Sequence, residues 1–190
     1  MVIGEALFVK GSLSSYFDQQ VAALRPFVEK FLGSHAGESD ETKIVQAILA
    51  EARVEPLKVD FSAASKDVQS AKVRIRDFGR DIEIDGVRAT RTYPFTGDAG
   101  LFRLQPNTWT SVVPYGLVTG NRITIGIEDR NDPPSLKGHL DSQEELLRKY
   151  IDWQSANIEE HNRSLKPKIE SLVAARLKHL DGVAKLKDMI

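Results

Sequence analysis

Apolar residues first recur at helical spacing through Leu13, Phe17, Val21, Leu24, Val28 and Phe31, steps of three and four that lay one stripe on one side of a helix. A short apolar stretch, Ala6 to Val9, precedes it. Ser15 with Asp18 makes a capping box with the shorter acid, which favours a regular helix beginning at Ser15 rather than Leu13. Pro26 lies well inside and is expected to kink or split the helix, because proline has no amide proton to donate. After a polar loop around Gly37, Ser39, Asp40 and Glu41 suit a second helix N-terminus, where side-chain oxygen and negative charge satisfy free amides. Ile44, Val45, Ile48, Leu49 and Ala52 form the stripe of this short amphipathic helix, which ends near Arg53 before Pro56.

From Leu57 to about Glu128 the period changes from helical to alternating, with β-branched residues and frequent turn residues. If Asp77 to Arg80 form a four-residue hairpin loop, Arg76 faces Asp81, Arg74 faces Glu83 and Lys72 faces Asp85. Ile75 with Ile82 and Val73 with Ile84 then share the opposite face, and a one-residue slip would put charge into the core. Gly120-Asn121 between Leu117-Val118 and Ile123 to Ile125 suits a second hairpin with a type II′ turn. Further strands are expected at Val87 to Tyr93 and Trp109 to Val113, with Pro94, Pro106 and Pro114 at strand ends or edges.

Asn131, Asp132, Pro133 and Pro134 end the sheet region, and a turn-rich loop is expected to run to Asp141. Ser142 with Glu145 makes a capping box, and the chain beyond it reads helical to Ile190. A continuous helix of that length would run roughly 70 Å at 1.5 Å per residue. Pro167 is the expected interruption, either kinking one helix or starting a second at Asn162 or Ser164. The stripe passes through Leu147, Ile151, Gln154, Ile158, His161 or Leu165, Ile169, Leu172, Val173, Leu177, Leu180 and Val183. Its steps resemble a coiled-coil seam that Gln154, His161 and Lys168 weaken, and packing on the chain's own helices fits equally well.

The expected fold class is therefore α+β: two N-terminal amphipathic helices, a mostly antiparallel sheet of about five to six strands, and a long C-terminal helix or kinked helix pair. Residues 1–134 would form the globular domain. Residues 135–190 would form a helical arm that packs on it, mediates oligomerisation, or does both.

Composition narrows the functional classes. With 190 residues, 41% of them hydrophobic and 28% charged, the chain can bury a conventional core. Its 26 basic and 27 acidic residues give a net charge of -1, so no global field favours nucleic acid or an anionic membrane. The absence of cysteine removes disulfides and thiolate chemistry. The N-terminus lacks a signal-peptide pattern, and no apolar run approaches the roughly 18 residues that would span a bilayer, so the expected location is the cytoplasm.

Chemistry-bearing residues are dispersed. His35, His139, His161 and His179 form no metal-binding pair at one helical turn, and Glu159, Glu160 and His161 lack the second histidine of a zincin motif. There is no nucleophile elbow, phosphate loop or dinucleotide fingerprint, so no catalytic residue, metal or cofactor is assigned. Thr96 to Gly100 reads as a turn more readily than as a ligand loop. Arg88, Arg91 and Arg103, with no partner evident in sequence, are candidates for phosphate contacts on the sheet. Trp109 is assigned to the core, whereas Trp153, beside the arm's stripe, serves core and interface equally well. Interface candidates are Trp153, Ile158, Leu165, Ile169, Leu172 and Leu180.

Three segments, Glu5 to Ser12, Pro94 to Asp98, and Ile158 to Leu180 containing Asn162, Leu165 and Arg176, together resemble the N-terminal regions of uncharacterised bacterial proteins that continue into restriction-endonuclease-like or TIR effector domains. The resemblance carries no catalytic residue onto these positions. It implies a non-catalytic sensing or assembly half, in a defence system for example, with the chemistry beyond Ile190. A helix that reaches the last residue without a terminating glycine or proline agrees with this. Self-association or a linked effector domain is the expected partnership. A nucleic-acid-binding module and a hydrolase built from dispersed groups such as Asp98, Glu159 and His161 are the alternatives.

Overall fold

The computed structural model describes residues 1–35, 40–77 and 79–189. The expected loop around Gly37, the Ser39 start signal, Phe78 of the hairpin and the helix end at Ile190 lie outside the described residues. The chain is α+β, with a mostly antiparallel six-stranded sheet and a small parallel pair. The strands are β1 (Glu5–Ala6), β2 (Gly11–Ser12), β3 (Lys58–Val59), β4 (Ser65–Asp77), β5 (Arg80–Thr96), β6 (Leu104–Gln105), β7 (Tyr115–Thr119) and β8 (Arg122–Asp129). The helices are α1 (Leu13–Ser34), α2 (Glu41–Ala52) and α3 (Pro133–Met189), with 3-10 turns at Phe61–Ala63 and Ala99–Arg103.

Two compact units divide the chain: residues 1–13 with 55–156, and residues 14–54 with 157–190. One border between these units falls inside α3, between residues 156 and 157. The sheet belongs to the first unit, while α2, nearly all of α1 and the later turns of α3 belong to the second.

In the sheet unit the strand order is β1-β7-β8-β5-β3, with β4 also paired to β5. The β4–β5 register places Lys72 against Asp85, Val73 against Ile84, Arg74 against Glu83, Ile75 against Ile82 and Arg76 against Asp81, as the charge alternation requires. The loop is tighter than expected, because Asp77 itself pairs with Arg80. Of the three opposed charge pairs, Lys72 and Asp85 close to 2.6 Å. The apolar face of this ribbon is buried at Val73 but open near its tip, where Ile82 is exposed.

Thr119 pairs with Arg122 across Gly120-Asn121, and only the first of these two turn residues has positive φ, as a type II′ turn demands. The expected strand at Trp109 to Val113 is irregular chain instead, and Trp109 is exposed rather than in the core. Prolines at 106 and 114 bracket this segment and limit its ladder pairing.

Alternation on β5 and β8 separates two faces. Ala89, Tyr93, Phe95, Ile123, Ile125 and Ile127 are buried on one side. On the other, Thr92 and Thr124 hydrogen-bond at 2.8 Å and Arg88 pairs with Glu128. Phe8, in the left-handed region at φ 59, is fully buried, its ring stacked 5.3 Å from Tyr150, so packing holds a conformation that a bulky residue rarely adopts.

Helix α3 begins earlier than the Ser142 signal. Proline 133 occupies the first helical position, where its missing amide costs nothing, and the Asp132 carbonyl accepts from Leu136. Ser142, well inside the helix, bonds back to the Gly138 carbonyl at 2.9 Å instead of capping. Neither Pro26 nor Pro167 ends its helix.

In the second unit Asp40 caps α2 as expected, accepting from the Thr42 and Lys43 amides. A core forms from Leu24, Val28 and Leu32 of α1, Ile44, Val45 and Ile48 of α2, and Leu165, Ile169 and Val173 of α3. Amphipathic stripes from three helices thus cover one another.

Candidate functional site

Several polar side chains inside each unit are engaged with the chain itself. In the sheet unit, Arg91 bonds Asp141 at 2.6 Å and Glu144 at 2.9 Å, and the Tyr93 hydroxyl donates to Glu144 at 2.7 Å. Lys137 and Arg148 complete the pairing of the two carboxylates. Burial alone would raise the Glu144 carboxyl, but hydrogen bonds from Tyr93, Arg148 and Arg91 hold it below its ordinary range. Burial and the Glu144 contact push the Tyr93 phenol well above its usual value. Such a network of satisfied charges orients the first turns of α3 on the sheet.

Helix positions that looked like breaks in the stripe have similar roles. Gln154, buried, donates to the Leu101 and Leu104 carbonyls at 2.9 and 3.0 Å. In the second unit His161 stacks on Phe17 at 4.0 Å and its Nε2 lies 2.5 Å from the Gln20 amide oxygen. Because that oxygen only accepts, the neutral ring carries its proton on Nε2. Burial lowers the His161 pKa, with Lys168 adding to the effect. Asn162 accepts from the Val54 amide and donates to the Val54 carbonyl, fastening the chain after α2 to α3.

Of the residues considered for a hydrolase, Asp98 lies in the sheet unit and Glu159 and His161 in the second. Asp98 accepts from the Gly100 amide at 2.7 Å and caps the 3-10 turn. Glu159 and His161, two residues apart on one helix, point about 160° apart. Among the described residues no group of three or more histidine and carboxylate side chains is arranged to hold a metal ion.

Two of the three arginines considered for phosphate contacts have partners that sequence did not reveal, which corrects their expected openness. Arg88 pairs with Glu128 at 2.7 Å and Arg91 with Asp141 and Glu144. Their odd separation along β5 also puts them on opposite faces of the sheet. Arg103 is exposed, and its charge joins that of Lys10 in lowering the Glu5 carboxyl, with Lys10 dominant.

The interface candidates divide sharply. Ile158, Leu165 and Ile169 are fully buried within the second unit, and Leu172 is partly buried there. Trp153 is half-buried in the sheet unit, edge-on to Tyr150. Leu180 is 42% exposed and is followed by Val183 at 50%, Leu186 at 63% and Met189 at 82%. These last turns of α3 form the candidate interaction site: an apolar band winding round the helix at steps of three and interspersed with Lys178, Lys185 and Lys187, with Asp181 tied to Lys185 at 2.7 Å. Periodicity revealed the row as far as Val183, but not that it would be left bare.

Among the described residues no helix is long and apolar enough to cross a membrane. No protein-family model, no curated protein and no solved structure matches this chain.

Proposed function

We propose that this chain is a non-catalytic assembly module whose last α3 turns, bearing Leu180, Val183, Leu186 and Met189, associate with the same turns of a second copy. The observation that carries it is their exposure on a helix whose preceding apolar residues Leu165, Ile169 and Val173 are fully buried. Leu180, Val183, Leu186 and Met189 follow one another at steps of three, so they wind as an exposed apolar band around the last turns, and a second copy of the same helix offers a like band to cover the adjacent pairs. In this reading, assembly brings together copies of an effector joined to the module or carried by a partner. The polar groups with shifted acidity support the non-catalytic part, because those with partners serve the chain's own packing and surface pairs.

Light scattering across a concentration series tests the proposal. The chain should give a concentration-dependent dimer, and the Leu180→Asp/Leu186→Asp variant a monomer with an unchanged melting temperature. A monomer for both proteins at the highest concentration would remove the assembly reading.

A further inference from the structure

We infer that the cleft between α1 and α3 in the second unit binds a phosphomonoester through Arg25, Arg176 and His179. Arg25 and Glu29 stand one turn apart on α1, and Arg176 and His179 line the facing side from α3. The cleft encloses about 250 Å³, room for a phosphate with a small substituent rather than a drug-sized molecule.

Among the described residues the buried Arg176 Nε has no hydrogen-bond partner, although buried guanidinium nitrogens are ordinarily satisfied. No ion pair or hydrogen bond reaches Arg25 or His179 among the described residues. These basic side chains line one cleft, and among the described residues none of them forms an ion pair with the Glu29 carboxylate there. Guanidinium forks match phosphate oxygens bidentately, and the terminal oxygens of a phosphomonoester supply an acceptor for each of the three side chains. Val28, Leu172 and Ala175 form an apolar wall against which the ester substituent would lie. Glu29, at the same cleft, opposes an anion and sets the sign of the test. The inference does not rest on the assembly proposal, since these residues precede the exposed row.

Calorimetric titration at low salt with phenyl phosphate, inorganic phosphate and benzoate reads it directly. Phenyl phosphate should bind saturably and more tightly than either of the others. Arg176→Gln should weaken it about tenfold or more, the scale of a lost charge-assisted bond, with the melting temperature retained. Glu29→Gln should tighten it several-fold. Absence of saturable binding, unchanged affinity in Arg176→Gln, or equal binding of benzoate would overturn the assignment. So would equal loss of stability in Arg176→Gln and Glu29→Gln, because the two groups would then simply pair with each other.

Discussion

Two stretches of α3 in the second unit are both rich in apolar residues and differ in fate. Ile158, Leu165, Ile169 and Val173 are fully buried, whereas Leu180, Val183, Leu186 and Met189 range from 42% to 82% exposed. The difference lies in what faces them. Leu165, Ile169 and Val173 of the first set meet the stripes of α1 and α2; for the second set, the described residues leave much of each side chain bare. Hydrophobic periodicity states that a helix face needs a partner surface, and tertiary packing decides whether the same chain provides it.

The largest test of that contrast is a pair of truncations. Ile169→Ala should cost about 2–5 kcal/mol through lost burial and a cavity, while Leu186→Ala should stay within about 0.5 kcal/mol. Urea unfolding on dilute monomer measures both, and equal losses would erase the distinction. A smaller effect is expected in the sheet unit, where Arg91→Met should cost about 1–3 kcal/mol by leaving Asp141 and Glu144 with fewer donors. A pH effect should be smaller still. The His161 pKa is lowered from 6.5 by burial, so the unfolded chain binds its proton first as pH falls. Stability from this group is complete above that value and declines as pH drops towards the folded pKa. His161→Gln should flatten that part of the unfolding profile, and an unaltered slope would show that His161 is not its source.

The fold was most legible where chemistry alternated residue by residue. In the β4–β5 ribbon, opposite charges at facing positions left one workable register, and the structure has it. The start of α3 was less legible, because Ser142 offers the same side-chain oxygen to a cap or to the carbonyl one turn back. Local sequence does not decide between them. Trp109 was misplaced for a related reason: size argues for burial, but the prolines around it keep its segment out of the sheet. The polar anchors were least visible. Gln154 and His161 looked like faults in a seam, and their partners, Leu101, Leu104 and Gln20, lie far away in sequence. Division of one helix between two units was hidden for the same cause, since it depends on which stripes meet.

The β4–β5 ribbon carries one more consequence. Strand β8 pairs with β5 from Val87 to Pro94, so among the described residues Lys72 to Asp77 and Arg80 to Asp85 form a ribbon two strands wide, with unpaired backbone along both sides. Such edges invite pairing with a neighbouring chain, and here charges on every second residue make that addition unfavourable. Lys72, Arg74, Arg76, Asp81, Glu83 and Asp85 thus guard the ribbon against fibrillar growth, whatever they contribute to its own stability.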